Sequence, residues 1–567
     1  MRTLRHIVIS TFLAAGLTPP LAAQTPDTRI DAQERLRQQE RERQLREQQE
    51  RGADIRLPAP AAKPPGRLPD TETPCFPITG LHLHDDTQHF TWALAAANPA
   101  DDPAVGRCLG SAGINIILRR VQDAIVARGF ITTRVLAQAQ DLSGGTLTLT
   151  VVPGRIRDIR FTDDSGARAN ARNALPVKRG DLLNLRDIEQ GLENLKRLPS
   201  AEADFQILPG DAPGESDLVI SWRQAFPLRL TLNVNDGGSK STGKYLGALT
   251  ISGDHLLGLN DLLYVSVNSN LGTYHSDAGK RGTQGHTLHY SLPWGYWLWD
   301  ITASANRYHQ TVAGHSQDYR YRGTSDNLET RLSYLVHRNS HSKSSLHLRG
   351  YLTKSSNFID DTEVDVQRRR MAGWELRLQH RAFIGASTLD LGVAYRRGTG
   401  ALDALPAPEE SLGEGTHRPR ILTADAGLDL PFKLADHAFR YAAHWRAQWN
   451  RTPLVAQDRF SIGGRYTVRG FDGESVLMAE RGWLIRNDLE WIHGNHDQAL
   501  YLAMDHGEVG GRSASLLVGR RLTGAAFGLR GRYRDLAWDV FVGAPIRHPS
   551  TFKTPRHSGG VNLTWSF

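Results

Sequence analysis

Long hydrophobic runs are scarce in this 567-residue chain. Past the N-terminus no stretch approaches the ~18 apolar residues that a spanning helix needs. With only 40% hydrophobic residues overall, that excludes a helical membrane protein. The one apolar stretch, Ile7 to Leu17, follows Arg2 and Arg5 and precedes small residues at Ala22 and Ala23. It reads as a secretory signal peptide over 1–23. Cysteine is nearly absent, with Cys75 and Cys108 alone. Two cysteines and scattered histidines give no ligand spacing, so no metal is expected. In an exported chain the pair most simply forms one disulfide. Charge of one sign is not concentrated either: the net +8 is spread along the chain, which speaks against nucleic acid.

Catalytic signals are missing too. The 22 histidines include no HExxH pattern, and no G-x-S-x-G elbow occurs. His506 beside Asp505 has no nucleophile near it in sequence. GSKSTGK, 238–244, nearly spells a phosphate-binding loop, but Tyr245 stands where Ser or Thr is required and strands flank it. A hairpin turn explains it better. No catalytic site, no cofactor and no enzyme activity are read.

What is present falls into blocks. Residues 24–56 are rich in Glu, Gln and Arg, and within 27–52 the large apolar residues are Ile30, Leu36 and Leu45. These form no heptad stripe, so the tract reads as a helix polar all round, suited to a wet environment. Residues 57–74 are Pro-rich and extended. ITGLHLH (78–84) alternates like a strand, and 113–130 carries Ile114, Ile117, Leu118, Val121, Ile125 and Val126 at helical spacing before Gly129. Strands follow at 131–137 and 146–152, split by DLSGG. The order strand, helix, strand, strand then recurs at 155–161, 187–198, 203–208 and 217–223. Two successive α+β units result, over 75–152 and 153–225.

From Phe226 the helical period disappears. Segments of ~10 residues alternate apolar and polar, separated by polar turns, as in an outer-membrane barrel. About sixteen such segments fill 226–567. Trp294, Tyr296, Trp297 and Trp299 cluster between two of them, as an interfacial aromatic belt would. The final segment, Val561, Leu563, Trp565, Phe567, must pair with the first, because an open edge is untenable in lipid.

Several motifs stand in a distinctive order: CFPITGL (75–81), Cys108 with GIN (113–115), RGFITTRV (128–135), QDLSGGTLTLTVVPGRI (140–156), VRGF (468–471), MDHGE (504–508) and the terminal Phe567. The mature chain resembles outer-membrane transporters of two-partner secretion, the hemolysin secretion/activation type. The resemblance implies α+β periplasmic POTRA domains followed by an all-β sixteen-stranded antiparallel transmembrane barrel. It implies a location in the bacterial outer membrane with the POTRA domains in the periplasm. The polar helix becomes a plug of the pore, and Cys75–Cys108 a staple of the first POTRA domain. The inward-folding loop, about 451–481, carries Val468, Arg469, Gly470 and Phe471. Arg469 is expected to pair with Asp505, followed by Gly507, on the inner wall, with Gly463, Gly464, Gly470 and Gly473 as hinges. Trp565 and Phe567 are the expected C-terminal assembly signal.

The implied function is recognition and translocation of an unfolded, large partner exoprotein, a hemolysin, adhesin or contact-dependent toxin. The implied partners are that cargo, met through the POTRA domains, the outer-membrane lipid and the barrel-assembly machinery during biogenesis. The chain itself is expected to be a monomer. Two other readings compete. A barrel-assembly factor shares the architecture, and a passive porin shares the barrel. A porin has no need of some 150 residues of periplasmic α+β structure.

Overall fold

The computed structural model describes residues 28–50, 54–57, 66–272, 279–493 and 498–567. The expected signal peptide and part of the Pro-rich tract, 58–65, lie outside the described residues.

The polar tract forms helix α1, Thr28–Gln49. It has no apolar face with which to join a core or a bilayer. Its surroundings are mostly polar, although Leu45 packs against the apolar cluster formed by the second α+β unit and the first barrel strands.

The two α+β units share one topology. In the first, Gly80–His84 pairs parallel with Thr146–Val152, which pairs antiparallel with Arg134–Leu136. Helix α2, Ser111–Ala127, buries Ile117, Val121 and Ile125, one face at i, i+4 and i+8. It ends where Gly129 takes a φ of +100°. The strand expected at 131–137 shrinks to Arg134–Leu136, because Phe130 to Thr133 form a tight turn with Thr133 N–H donating to the Phe130 carbonyl. Cys75 and Cys108 are bonded, with Cα atoms 5.3 Å apart.

In the second unit Arg155–Phe161 pairs parallel with Glu215–Gln224, which pairs antiparallel with Ala201–Pro209. Helix α3, Leu185–Lys196, starts at Asn184, whose side chain accepts from Arg186 N–H at 2.8 Å. It buries Leu185, Ile188, Leu192 and Leu195 against that sheet.

The rest is a closed antiparallel barrel of sixteen strands among the described residues, with one two-residue extension at an outer turn. The first strand, Leu228–Asn235, pairs with the last, Ser558–Ser566, which leaves no edge. Phe567 exchanges backbone hydrogen bonds with Leu230 across that seam, at 2.9 and 3.3 Å. Alternation sorts the two faces. Val265 and Val267 point outward and are exposed, while the alternate residues Tyr264 and Ser266 are buried. The aromatic cluster divides: Trp294, Trp297 and Trp299 face outward, but Tyr296 turns away and its hydroxyl donates to Asp187 of α3. It belongs to the joint between the second α+β unit and the barrel, not to the belt. GSKSTGK spans the turn between the first two barrel strands, with no helix to receive a phosphate.

Candidate functional site: the barrel lumen

Helix α1 lies inside the barrel and meets its wall through polar side chains. Gln38 spans two strands, donating to Ser304 at 3.3 Å and accepting from Ser325 at 3.0 Å. Gln49 accepts from Ser252 at 2.7 Å, and Arg46 pairs with Glu329. Small hydroxyl residues at inward positions leave room for the helix and give it partners. Cavities of about 640, 800 and 650 Å3 border the helix, so it does not fill the lumen.

The loop between strands His437–Asn450 and Arg481–His493 folds into the same lumen. Its stem is a short antiparallel pair, Phe460–Ile462 with Leu477–Ala479. Gly463, Gly470 and Gly473 have φ of +113°, +94° and +77°, where a side chain is strained. Gly464, expected as a fourth hinge, lies outside that region of backbone space, and a Cβ there would meet the Gly473 Cα at an ordinary 3.5 Å, so nothing at this position requires glycine.

Arg469 and Asp505 are in contact. Asp505 lies on strand Gln498–Gly510, and its two oxygens accept from Arg469 Nε and Nη2, each at 2.7 Å. The Arg469 backbone N–H donates to the same carboxylate at 2.9 Å. A bidentate pair with a third backbone bond specifies both position and orientation. Both side chains are essentially inaccessible to solvent. Burial alone would push the guanidinium pKa down. The hydrogen bonds and charge of Asp505, then of Asp488, outweigh it and hold the pKa above the ordinary arginine value.

Sequence reading missed the rest of this network. Asp488 on the neighbouring strand pairs with Arg469 at 2.5 Å and is held by Arg530 at 2.9 Å. Arg530 also reaches Glu490 at 2.8 Å. Wall glycines seat the loop: Gly524 is directly opposite Asp505 in the sheet, and Gly543 lies on the next strand. Gly507 faces Val468 and Ile462. Phe471 packs edge-on against Phe552, with ring centroids 5.8 Å apart. The loop tip touches both α1 and the first hairpin turn. Arg37 donates to the Gly473 carbonyl at 2.7 Å, and Lys240 N–H to Glu474 at 2.8 Å. The Trp565 and Phe567 rings meet near the seam at a tilt of 33°, with centroids 4.7 Å apart, exposed on the outer surface. His506, raised as an acid–base candidate, hydrogen-bonds Thr523 at 2.8 Å and rests against Trp483.

Comparison with known proteins agrees with this architecture. Residues 214–531 match the family described as haemolysin secretion/activation protein ShlB/FhaC/HecB. Residues 76–154 match the ShlB-type POTRA domain, and 155–209 match a POTRA domain. The chain is 35% identical to the outer membrane transporter CdiB-2 of Burkholderia pseudomallei, over 96% of both chains. It is 26% identical to the hemolysin transporter protein ShlB of Serratia marcescens, over 85% of this chain and 84% of that one. The solved structure of CdiB from Acinetobacter baumannii superposes with a TM-score of 0.83 at 29% identity, covering 95% of this chain and 99% of the other. CdiB from Escherichia coli gives 0.82 at 25% identity, covering 96% and 100%. With two POTRA units ahead of a closed sixteen-stranded barrel, the chain belongs to the ShlB/FhaC/HecB family of two-partner secretion transporters of the outer membrane.

Proposed function

We propose that this transporter captures an unfolded exoprotein on its periplasmic POTRA units and passes it, as an extended chain, through the lumen now occupied by α1. The observation that carries this reading is the nature of that occupancy. The helix is held by polar contacts such as Gln38–Ser304 and Gln49–Ser252, with cavities beside it. Contacts of this kind exchange readily for water or for another polypeptide backbone, whereas an apolar seat would not. The sheet edges Gly80–His84 and Ala201–Pro209 are open to an added strand, which suits a cargo kept unfolded. Arg469 and Asp505 fix the inward loop so that the channel keeps one shape during passage. No nucleotide-binding motif supplies energy, and folding of the cargo outside provides the drive. The cargo is a large exoprotein of the hemolysin, adhesin or contact-dependent toxin type.

The test is secretion of the partner exoprotein by cells carrying Arg469→Ala. The expected result is loss of export with normal amounts of folded barrel in the outer membrane. Undiminished export from such cells overturns the role given to the loop.

A further inference from the structure

Just after α1, residues 54–57 (Asp-Ile-Arg-Leu) run through a cleft at the periplasmic mouth of the barrel. One wall is helix α3, and the other is the ends of three barrel strands. The Ile55 N–H donates to Glu193 at 2.9 Å, and the Leu57 N–H donates to Glu189 at 2.7 Å. Arg338 donates to the Ile55 carbonyl and also bonds Glu189, Gln190 and Glu193. Asp54 pairs with Lys343 and, at 2.6 Å, with Arg381. The Ile55 side chain packs on the core of the second POTRA unit, and Arg56 lies over the Phe383 ring at 4.3 Å.

This geometry reads a backbone. Glu189 and Glu193 are one helical turn apart, an axial rise of about 6 Å. Alternate residues of an extended chain are spaced by about 6.6 Å. Two carboxylates at i and i+4 therefore match two successive inward N–H groups of any extended polypeptide laid antiparallel to the helix. The pair is built in rather than incidental. Glu189 and Arg338 are at least nine-tenths buried, and Arg186 braces Glu189 from behind.

We propose that this cleft is a cargo-binding site, occupied in cis by residues 54–57 while the pore is plugged. It takes an extended segment of the exported polypeptide in which an acidic residue is followed by a large aliphatic one. The acid meets Lys343 and Arg381, the aliphatic side chain meets the POTRA core, and the backbone amides meet Glu189 and Glu193. Because 54–57 lie only five to eight residues after the end of α1 at Gln49, a cargo segment that takes the cleft also frees the tether of the plug. The inference rests on the export reading, but its test does not use export.

The probe is a fluorescent peptide of residues 52–58, GADIRLP, added to the full-length protein in bilayer discs, with anisotropy as the readout. In Asp54→Ala/Ile55→Gly, whose cis segment is weakened, the peptide binds about tenfold more tightly than in wild type, the gain of roughly one charged hydrogen bond. Adding Glu193→Gln, which preserves size, removes that gain. A peptide N-methylated at its Ile and Leu amides does not bind. Heat-dependent gel mobility shows that each variant is folded. Equal binding to wild type and the double variant overturns the proposal, as does undiminished binding of the methylated peptide. Peptide binding by a chain that exports nothing defeats the export reading alone. Export without peptide binding defeats the cleft alone.

Discussion

Gly524 and Arg469 meet backbone to backbone: a Cβ at position 524 would lie 1.9 Å from the Arg469 carbonyl oxygen. No side chain fits there without moving the loop. Gly524→Ala is therefore expected to displace the inward loop and reduce export as far as Arg469→Ala does, although it removes no charge. Gly350→Ala is the control, because its Cβ would meet only Thr330 at 3.8 Å. Protease cleavage within 451–481, together with export, reads the outcome. Equal behaviour of the two glycine variants would refute the seating argument.

The Arg469–Asp505 pair yields a prediction about coupling. Removing one partner strands a buried charge and costs about 3–5 kcal/mol, although the intact pair need not add net stability. Asp488 shares Arg469, so Asp505→Ala leaves the arginine one carboxylate, whereas Arg469→Ala leaves two acids facing Arg530 and Arg486. In a double-mutant cycle on barrel unfolding, Arg469→Ala and Asp505→Ala should therefore couple by roughly 0.5–3 kcal/mol. Additive losses would mean that the contact does not act as a pair.

Why these two residues were legible in the sequence, and their seat was not, has a physical reason. Strand alternation exposes the barrel, since each outward Val or Leu marks one residue in two, and the helical period marks α2 and α3. A motif such as VRGF names a residue but not its surroundings. Gly524, Gly543 and Asp488 come together only through strand register, which a sequence does not state. The place of Tyr296 is hidden for the same reason. A tyrosine among tryptophans reads as interfacial until α3 places Asp187 beside it.

The disulfide closes a loop with a sequence separation of 33. In the chain-entropy view such a link contributes about 3–4 kcal/mol by restricting the unfolded state. Cys108→Ser should lower the melting temperature of the first POTRA unit and leave barrel unfolding unchanged. Scanning calorimetry that resolves the two transitions decides it. A shift of the barrel transition instead would show that the two parts unfold together.

Plug retention should depend on polar contacts that span strands. Gln38→Ala removes bonds to Ser304 and Ser325, and Arg46→Ala removes the pair with Glu329. Together they should open the pore in planar bilayers at least as often as either alone, and more often than wild type. Conductance records supply the measurement. Unchanged open time would show that α1 is held chiefly by its tether.

The tether has its own pH signature. Burial pushes the Asp54 carboxyl up, but Lys343 and then Arg381 outweigh burial and hold it below its usual value. A depressed carboxylate pKa stabilises the clamped state fully above the pKa of the released segment, about 3.9 for a free aspartate. That contribution fades as pH falls through the lower, clamped value. Pore opening should thus be flat from neutral pH down to about 5 as far as this group is concerned, and rise in acid below about 4. Asp54→Asn should remove the acid step and show raised opening at neutral pH, because an amide cannot replace the charge that Lys343 and Arg381 face. Conductance titrated from the periplasmic side, in wild type and variant, makes the comparison. An acid step that survives Asp54→Asn assigns the response to another carboxylate and removes Asp54 from the tether.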